Sequence, residues 1–306
     1  MPQHFYGHGK LLITGEYLVL DGALALAIPT QKGQKLTVTE TTTPGITWEG
    51  LKESGEVWFT FHLNYKMFEQ TQAANSENPE VRLLQILLAA QKLNPDFLKD
   101  QPNLKVTTQL EFNQKWGLGS SSTLIFMLAQ WAEVDPYRLL ELTFGGSGYD
   151  IACAGNDSPI LYQITDGVPK VFQTNFYPEF SDQLFFVYLN KKQNSREAIA
   201  NYRKQPEERK KEAIQKISGI TETLLTTDSI FSFNALIDTH ERIIASVLNI
   251  PTVKQQLFPD FKGSIKSLGA WGGDFILATG GADAQEYFSA KGYTTILSFE
   301  EMIFKG

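Results

Sequence analysis

Three observations predict an α+β fold. Short β-branched and aromatic runs crowd the first third of the chain. Two helical runs bracketed by glycine turns fill its middle, and the second half reads strand, helices, strand, helix, strand. With 306 residues, 42% hydrophobic and 20% charged, the chain can build one large domain or two ordinary ones. A formal charge of -7 offers no broad basic field, so a small-molecule partner held by a few local donors is expected, and no nucleic acid. No apolar run approaches the ~18 to 20 residues of a membrane helix, and the start MPQHFYGHGKLLITG lacks a signal-peptide layout. A cytoplasmic protein, monomer or homodimer, with no membrane partner is expected. The one cysteine, Cys153 in DIACAG, cannot form an internal disulfide and reads as a small packing position. His4, His8, His62 and His240 include no pair at helical metal-binding spacing, so no zinc or iron site is expected.

Taken in order, KLLITGEYLVL, ALALAIP, KLTVTE and EVWFTFHL read as strands joined by hairpins at Gly, Asp and Pro. NPEVRLLQILLAAQKLNP reads as a helix with Asn78 as N-cap and Pro79 in the first turn, and NLKVTTQLEF as the next strand. STLIFMLAQWA and DPYRLLELTF, the latter opened by Asp135 and Pro136, are two helices between the turns GLGS and GGSGYD. PILYQI and VPKVF are strands, and NFYPEFSD is a linker, which sets a boundary near residue 175 between domains 1–175 and 176–306. Beyond it come the strand QLFFVYL, a charged helical stretch from Ser195 to about Leu225, and the helix IFSFNALIDTHERIIASVL. GAWGGDFILATGG follows as a turn and strand, then the helix ADAQEYFSAKG and the strand TTILSF. The mixed-charge run RKQPEERKKEAIQK is a solvated helix face.

Three glycine clusters carry the candidate chemistry. In KWGLGSSST, Gly117 and Gly119 let the backbone approach a ligand, and the following helix start offers unpaired N–H groups to phosphate oxygens. The loop is neither a Walker A motif nor G-x-G-x-x-G, and alone it reads more readily as a serine-capped turn on a core helix. GGSGYD holds Asp150 on a turn where it can act as general base, although Asp is also common in turns. SLGAWGGD leads into an apolar strand, where a tight hairpin is the plain alternative.

Together with GHGK near the start, these clusters resemble the GHMP kinases, the superfamily of galactokinase, homoserine kinase, mevalonate kinase and phosphomevalonate kinase. The resemblance runs in the family's order from residue 7 to about residue 280. GHGKLLITGEYLVLDG matches the first motif and carries over Lys10, Gly15, Glu16 and Tyr17; Gly117 to Ser122 match the second, with Asn113 and Ser122 replacing proline and alanine. Ser147, Gly148, Tyr149 and Asp150 match the turn that bears the family's catalytic aspartate, NSREAI resembles the N-T-R segment, and KSLGAWGGDF the last glycine motif, with Trp271 and Phe275 in place of small residues.

The resemblance implies a two-domain fold, like ribosomal protein S5 domain 2 in the first half and ferredoxin-like in the second. It implies ATP and Mg2+ as cofactors, and transfer of the γ-phosphoryl to a small alcohol or phosphate. Asp150, Lys10 and Ser195 would be catalytic. Gly117, Leu118, Gly119, Ser120, Ser121, Ser122, Gly269, Gly272 and Gly273 would bind ATP. Glu16, Tyr17, Ser147, Gly148 and Arg196 would bind substrate, and Ser121 and Glu141 the metal. The motifs look most like those of phosphomevalonate kinase and mevalonate kinase. A homoserine or sugar specificity, or a catalytically silent nucleotide-binding protein of the same fold, is the alternative, and a dinucleotide oxidoreductase is weaker because no βαβ fingerprint is present. A phosphate acceptor, with a second pKa near ~6, would need cationic clamping more than a base. Lys115, Lys191, Lys192, Arg196 and Lys266 lie in or beside the motifs and are the candidates.

Overall fold

The computed structural model describes residues 1–70, 78–192, 195–269 and 271–305; the side chains of residues 69, 70, 195 and 196 are also outside the description. Two compact units emerge, both discontinuous in sequence. The first comprises residues 1–9, 32–114 and 119–155, the second residues 10–31, 115–118 and 156–306. The expected boundary near residue 175 falls inside the second unit.

β1 (Gln3–Leu12) and β2 (Ala25–Glu40) contribute residues to each unit. In the first, residues 34–40 of β2 pair antiparallel with β5 (Leu104–Leu110); β3 (Ile46–Leu51) pairs parallel with β5 and antiparallel with β4 (Val57–Leu63). A parallel pair needs a crossover. Here it runs through the short α1 (Lys66–Gln70) and the long α2 (Pro79–Leu93). Asn78 caps α2 by accepting the Glu80 N–H at 2.8 Å, as expected. α3 (Ser120–Ala132), α4 (Pro136–Thr143, capped by Asp135) and α5 (Tyr149–Ala154) complete the unit. Trp48, Leu87, Ile125, Leu128 and Leu139 form its buried core between sheet and helices.

In the second unit residues 25–27 of β2 pair with β6 (Ile160–Thr165), which turns at Asp166–Gly167 into β7 (Val168–Gln173). Both turn residues have positive φ, 52° and 75°, as a tight hairpin requires. A second sheet is antiparallel in the order β11 (Ile296–Ser298), β8 (Leu184–Tyr188), β10 (Phe275–Thr279), β9 (Ile265–Ser267). The helices are α6 (Ser195–Arg203), α7 (Glu207–Leu225), α8 (Ile230–Leu248), α9 (Val253–Leu257), α10 (Ala282–Ala290) and α11 (Phe299–Met302). Phe185, Phe258, Phe261 and Phe288 form one apolar cluster; Tyr17, Tyr202, Ile217, Ile244 and Trp271 form another.

Three local expectations change. KLLITGEYLVL is not one strand: β1 ends at Leu12, Gly15 takes φ 90°, and Leu18–Asp21 is a 3-10 turn whose Leu18 and Val19 are buried. ALALAIP and KLTVTE are one strand, β2, which also pairs with β1, and Pro29 lies between its segments that pair with β6 and with β5. The helix expected from Ser195 to Leu225 breaks at Pro206, which lacks the N–H that would continue it.

Candidate active site

The glycine loop divides between the units after Leu118. In the second unit, Lys10 is seated on it twice. Its backbone N–H donates to Leu118 O at 3.0 Å and its Nζ to Gly117 O at 3.2 Å. Below the loop lies the third glycine turn. A Cβ at residue 117 would come within 2.6 Å of Asp274 Oδ2, and one at 269 within 2.8 Å of the same atom. Gly117 and Gly269 also have φ of 68° and 69°, so glycine is required at both for space and for conformation. Asp274 is buried; its own N–H donates to Lys191 O at 2.7 Å, and its carbonyl accepts the Leu189 N–H. Tyr188 donates its hydroxyl to Lys115 O at 3.1 Å, and Trp116 meets Phe275 edge to face. Lys10, the loop and the turn at 267–274 are therefore one construction built from three distant stretches. Gly272 has φ 81° and Gly273 is buried in that turn.

In the first unit, Gly119 caps α3 with φ 93° and no side chain, leaving the helix start open to an anion. The three serines differ. Ser121 is exposed, Ser120 is half-buried, and Ser122 is buried with its hydroxyl donating to Gly119 O at 2.9 Å. An uncapped helix start after two left-handed glycines fits the phosphates of a nucleotide, and the exposed Ser121 hydroxyl fits a metal ligand. Asp150 lies not in a turn but in the first helical turn of α5, after Gly148 at φ 86°; its Oδ1 accepts the Ile151 N–H. α5 packs on α3, and Gly155 allows this, because a Cβ there would come within 2.6 Å of the Phe126 ring. Burial first, then the Asp135 and Asp150 charges, push the Tyr137 hydroxyl up to about 12, so it stays a neutral donor near Asp150. Ser147 is half-buried in the turn. Glu141 is exposed and paired with Arg138 at 2.6 Å, so its position lends nothing to a metal role. The side chains of Ser195 and Arg196 lie outside the described residues.

Glu16 and Tyr17, expected at the substrate, are instead internal supports of the second unit. Tyr17 is buried, accepts the Trp271 N–H at 3.0 Å and lies 5.7 Å from the Tyr202 ring. The Trp271 indole is buried in that cluster, its Nε1 donating to Pro251 O. Lys266 is no clamping cation. It is fully buried and paired with Glu16 and, at 3.2 Å, with Glu241. Lys115, Lys191 and Lys192 are exposed. His240 and Glu241 complete this buried group and escaped the motif reading. Their signal was present in α8, where Phe233, Ile237, Ile244 and Val247 mark an apolar stripe that runs through both.

No protein-family model and no curated protein matches the sequence. Solved structures do. Mevalonate kinase from Methanococcus jannaschii is 14% identical, with a TM-score of 0.68 over 100% of this chain and 99% of that one. L. major mevalonate kinase in complex with R-mevalonate is 16% identical, TM-score 0.65, over 97% and 94%. Streptococcus pneumoniae phosphomevalonate kinase with phosphomevalonate and AMPPNP is 15% identical, TM-score 0.65, over 95% of each chain. With its mixed sheet, helices and glycine turns in this order, the chain has the fold of the GHMP kinases.

Proposed function

We propose that the chain is an ATP-dependent kinase that transfers the γ-phosphoryl group to a small mevalonate-like acceptor, either the alcohol or its phosphate. The observation that carries this reading is the seating of Lys10 on the carbonyls of Gly117 and Leu118, with Asp274 packed beneath the same loop. In this reading Lys10 follows the charge of the transferred phosphoryl group. The open start of α3 adds backbone N–H donors, and Ser121 adds a hydroxyl for the magnesium ion that ATP brings. Positioning and electrostatics supply most of the rate in phosphoryl transfer. In this scheme Asp150 orients the acceptor hydroxyl or takes its proton, with Ser147 and Gly148 shaping its turn. Ser195 and Arg196 are assigned to the acceptor side. The mevalonate class is favoured over homoserine and galactose by the motif resemblance; the similar structures include kinases with R-mevalonate, with phosphomevalonate and with galactose.

Coupled ADP-release assays with mevalonate, 5-phosphomevalonate, homoserine and galactose test the acceptor. Turnover on one of the first two is expected, and Asp150→Asn should lower it by about 10²- to 10⁴-fold. Activity on none of the four rejects the acceptor class; unaltered turnover in both Asp150→Asn and Lys10→Met rejects the site.

A further inference from the structure

Four ionisable side chains meet in the interior of the second unit with relative exposures of 0% for Lys266 and His240, 2% for Glu16 and 3% for Glu241. Lys266 Nζ donates to Glu16 Oε1 and to Ser267 O, and lies 3.2 Å from Glu241 Oε1. His240 Nε2 accepts the Gly15 N–H at 3.1 Å, which assigns the ring proton to Nδ1 in the neutral imidazole. Two carboxylates facing one ammonium and a neutral imidazole leave one excess negative charge out of water, an expensive arrangement. One added proton cancels it. Among the described residues Glu16 Oε2 and His240 Nδ1 have no hydrogen-bond partner, and Glu16 Oε2 stands 3.3 Å from His240 Nε2.

We propose that Glu16, Glu241, Lys266 and His240 capture one shared proton when the chain folds, and that His240 and Glu241 act through this lock as positioning residues for the segment 10–17 and the glycine turn 267–274. The placement supports both parts. Gly15 and Glu16 tie the first segment to α8, while Lys266 and Ser267 lead into the turn that carries Asp274. The positioning role rests on the kinase reading; the proton does not. Burial drives the Glu16 carboxyl up to about 7 against the opposing pull of Lys266, and burial also raises Glu241. Burial, then Lys266, drives the His240 imidazole well below its ordinary value. Among the described residues, the other buried titratable groups around α8 are Tyr17 beside Glu16, Tyr202 on α6 and Lys210 on α7. Tyr17 accepts the Trp271 N–H, and Tyr202 and Lys210 are occupied with Asp21 and Glu207.

The sign follows from linkage. A carboxyl raised in the folded state gives stability that is complete below its unfolded value and lost as pH rises through about 7. A depressed histidine gives stability that is present above its unfolded value and lost as pH falls. The two oppose each other below about pH 6.5, and the carboxyl loss alone remains above it. Thermal unfolding of the whole chain therefore tests the lock without substrate. The wild-type midpoint should fall by roughly 2 °C between pH 6.5 and 8.5, and Glu241→Gln, neutral without a proton, should hold within about 0.5 °C. A flat wild-type profile, or a Glu241→Gln profile with the wild-type slope, overturns the proposal. Should Glu241→Gln not fold, Glu16→Gln gives the same reading. For positioning, Glu241→Ala should raise the KM for ATP about tenfold with kcat changed less than about threefold, and Glu241→Gln should restore it. Equal KM values in the alanine and wild-type enzymes overturn that role. A chain without ATP turnover but with the expected pH profile would reject the kinase reading and leave the lock standing.

Discussion

Lys10 and Lys266 both sit in or beside glycine motifs, yet the structure puts them to opposite uses. Lys10 is half-buried and donates to neutral carbonyls of the loop; Lys266 is fully buried between two carboxylates. The Lys10 ammonium is thus held at the glycine loop, half-buried, while the Lys266 ammonium is sealed in the interior against two carboxylates. Burial and position, and not a place in a motif, decide which lysine can meet a phosphate.

The comparison is broken most directly at Lys10. Lys10→Met should lower kcat by about 10²- to 10³-fold while the melting temperature shifts only a few degrees, as read by ADP release and calorimetry. At Lys266 the expectation reverses. Lys266→Met leaves two carboxylates buried without their counter-ion and should cost about 3 to 5 kcal/mol in urea unfolding. Gly117→Ala tests the floor beneath Lys10: the left-handed φ and the Asp274 carboxylate together should cost about 2 to 3 kcal/mol and raise the KM for ATP. The smallest effect belongs to Glu141→Gln. It removes an exposed pair with Arg138 and should move the melting temperature by no more than about 1 °C, with the magnesium dependence of turnover unchanged.

Much of the fold was legible because its signals are local. Asn78 before Pro79 and Asp135 before Pro136 cap α2 and α4 where the residue types indicate. Gly117, Gly119, Gly148, Gly269 and Gly272 all take positive φ, so the glycine clusters were read correctly as special backbone. What was not legible is non-local. Nothing near Glu16 says that its partners lie in α8 and β9, more than two hundred residues away; its substrate role is what the motif resemblance implies. The same limit hid the change of partner along β2, where two apparent strands are one because each end pairs with a different neighbour.

The carboxylate wedged under Gly117 and Gly269 also has an evolutionary consequence. Positions 117, 269 and 274 form a unit of inheritance. Both glycines have left-handed φ, so a smaller residue at 274 would not by itself admit a side chain at either, and a larger one at 274 finds no room above it. In a randomised library selected for ATP turnover, 117 and 269 should stay glycine and 274 should not grow, although 117 and 274 stand more than one hundred and fifty residues apart.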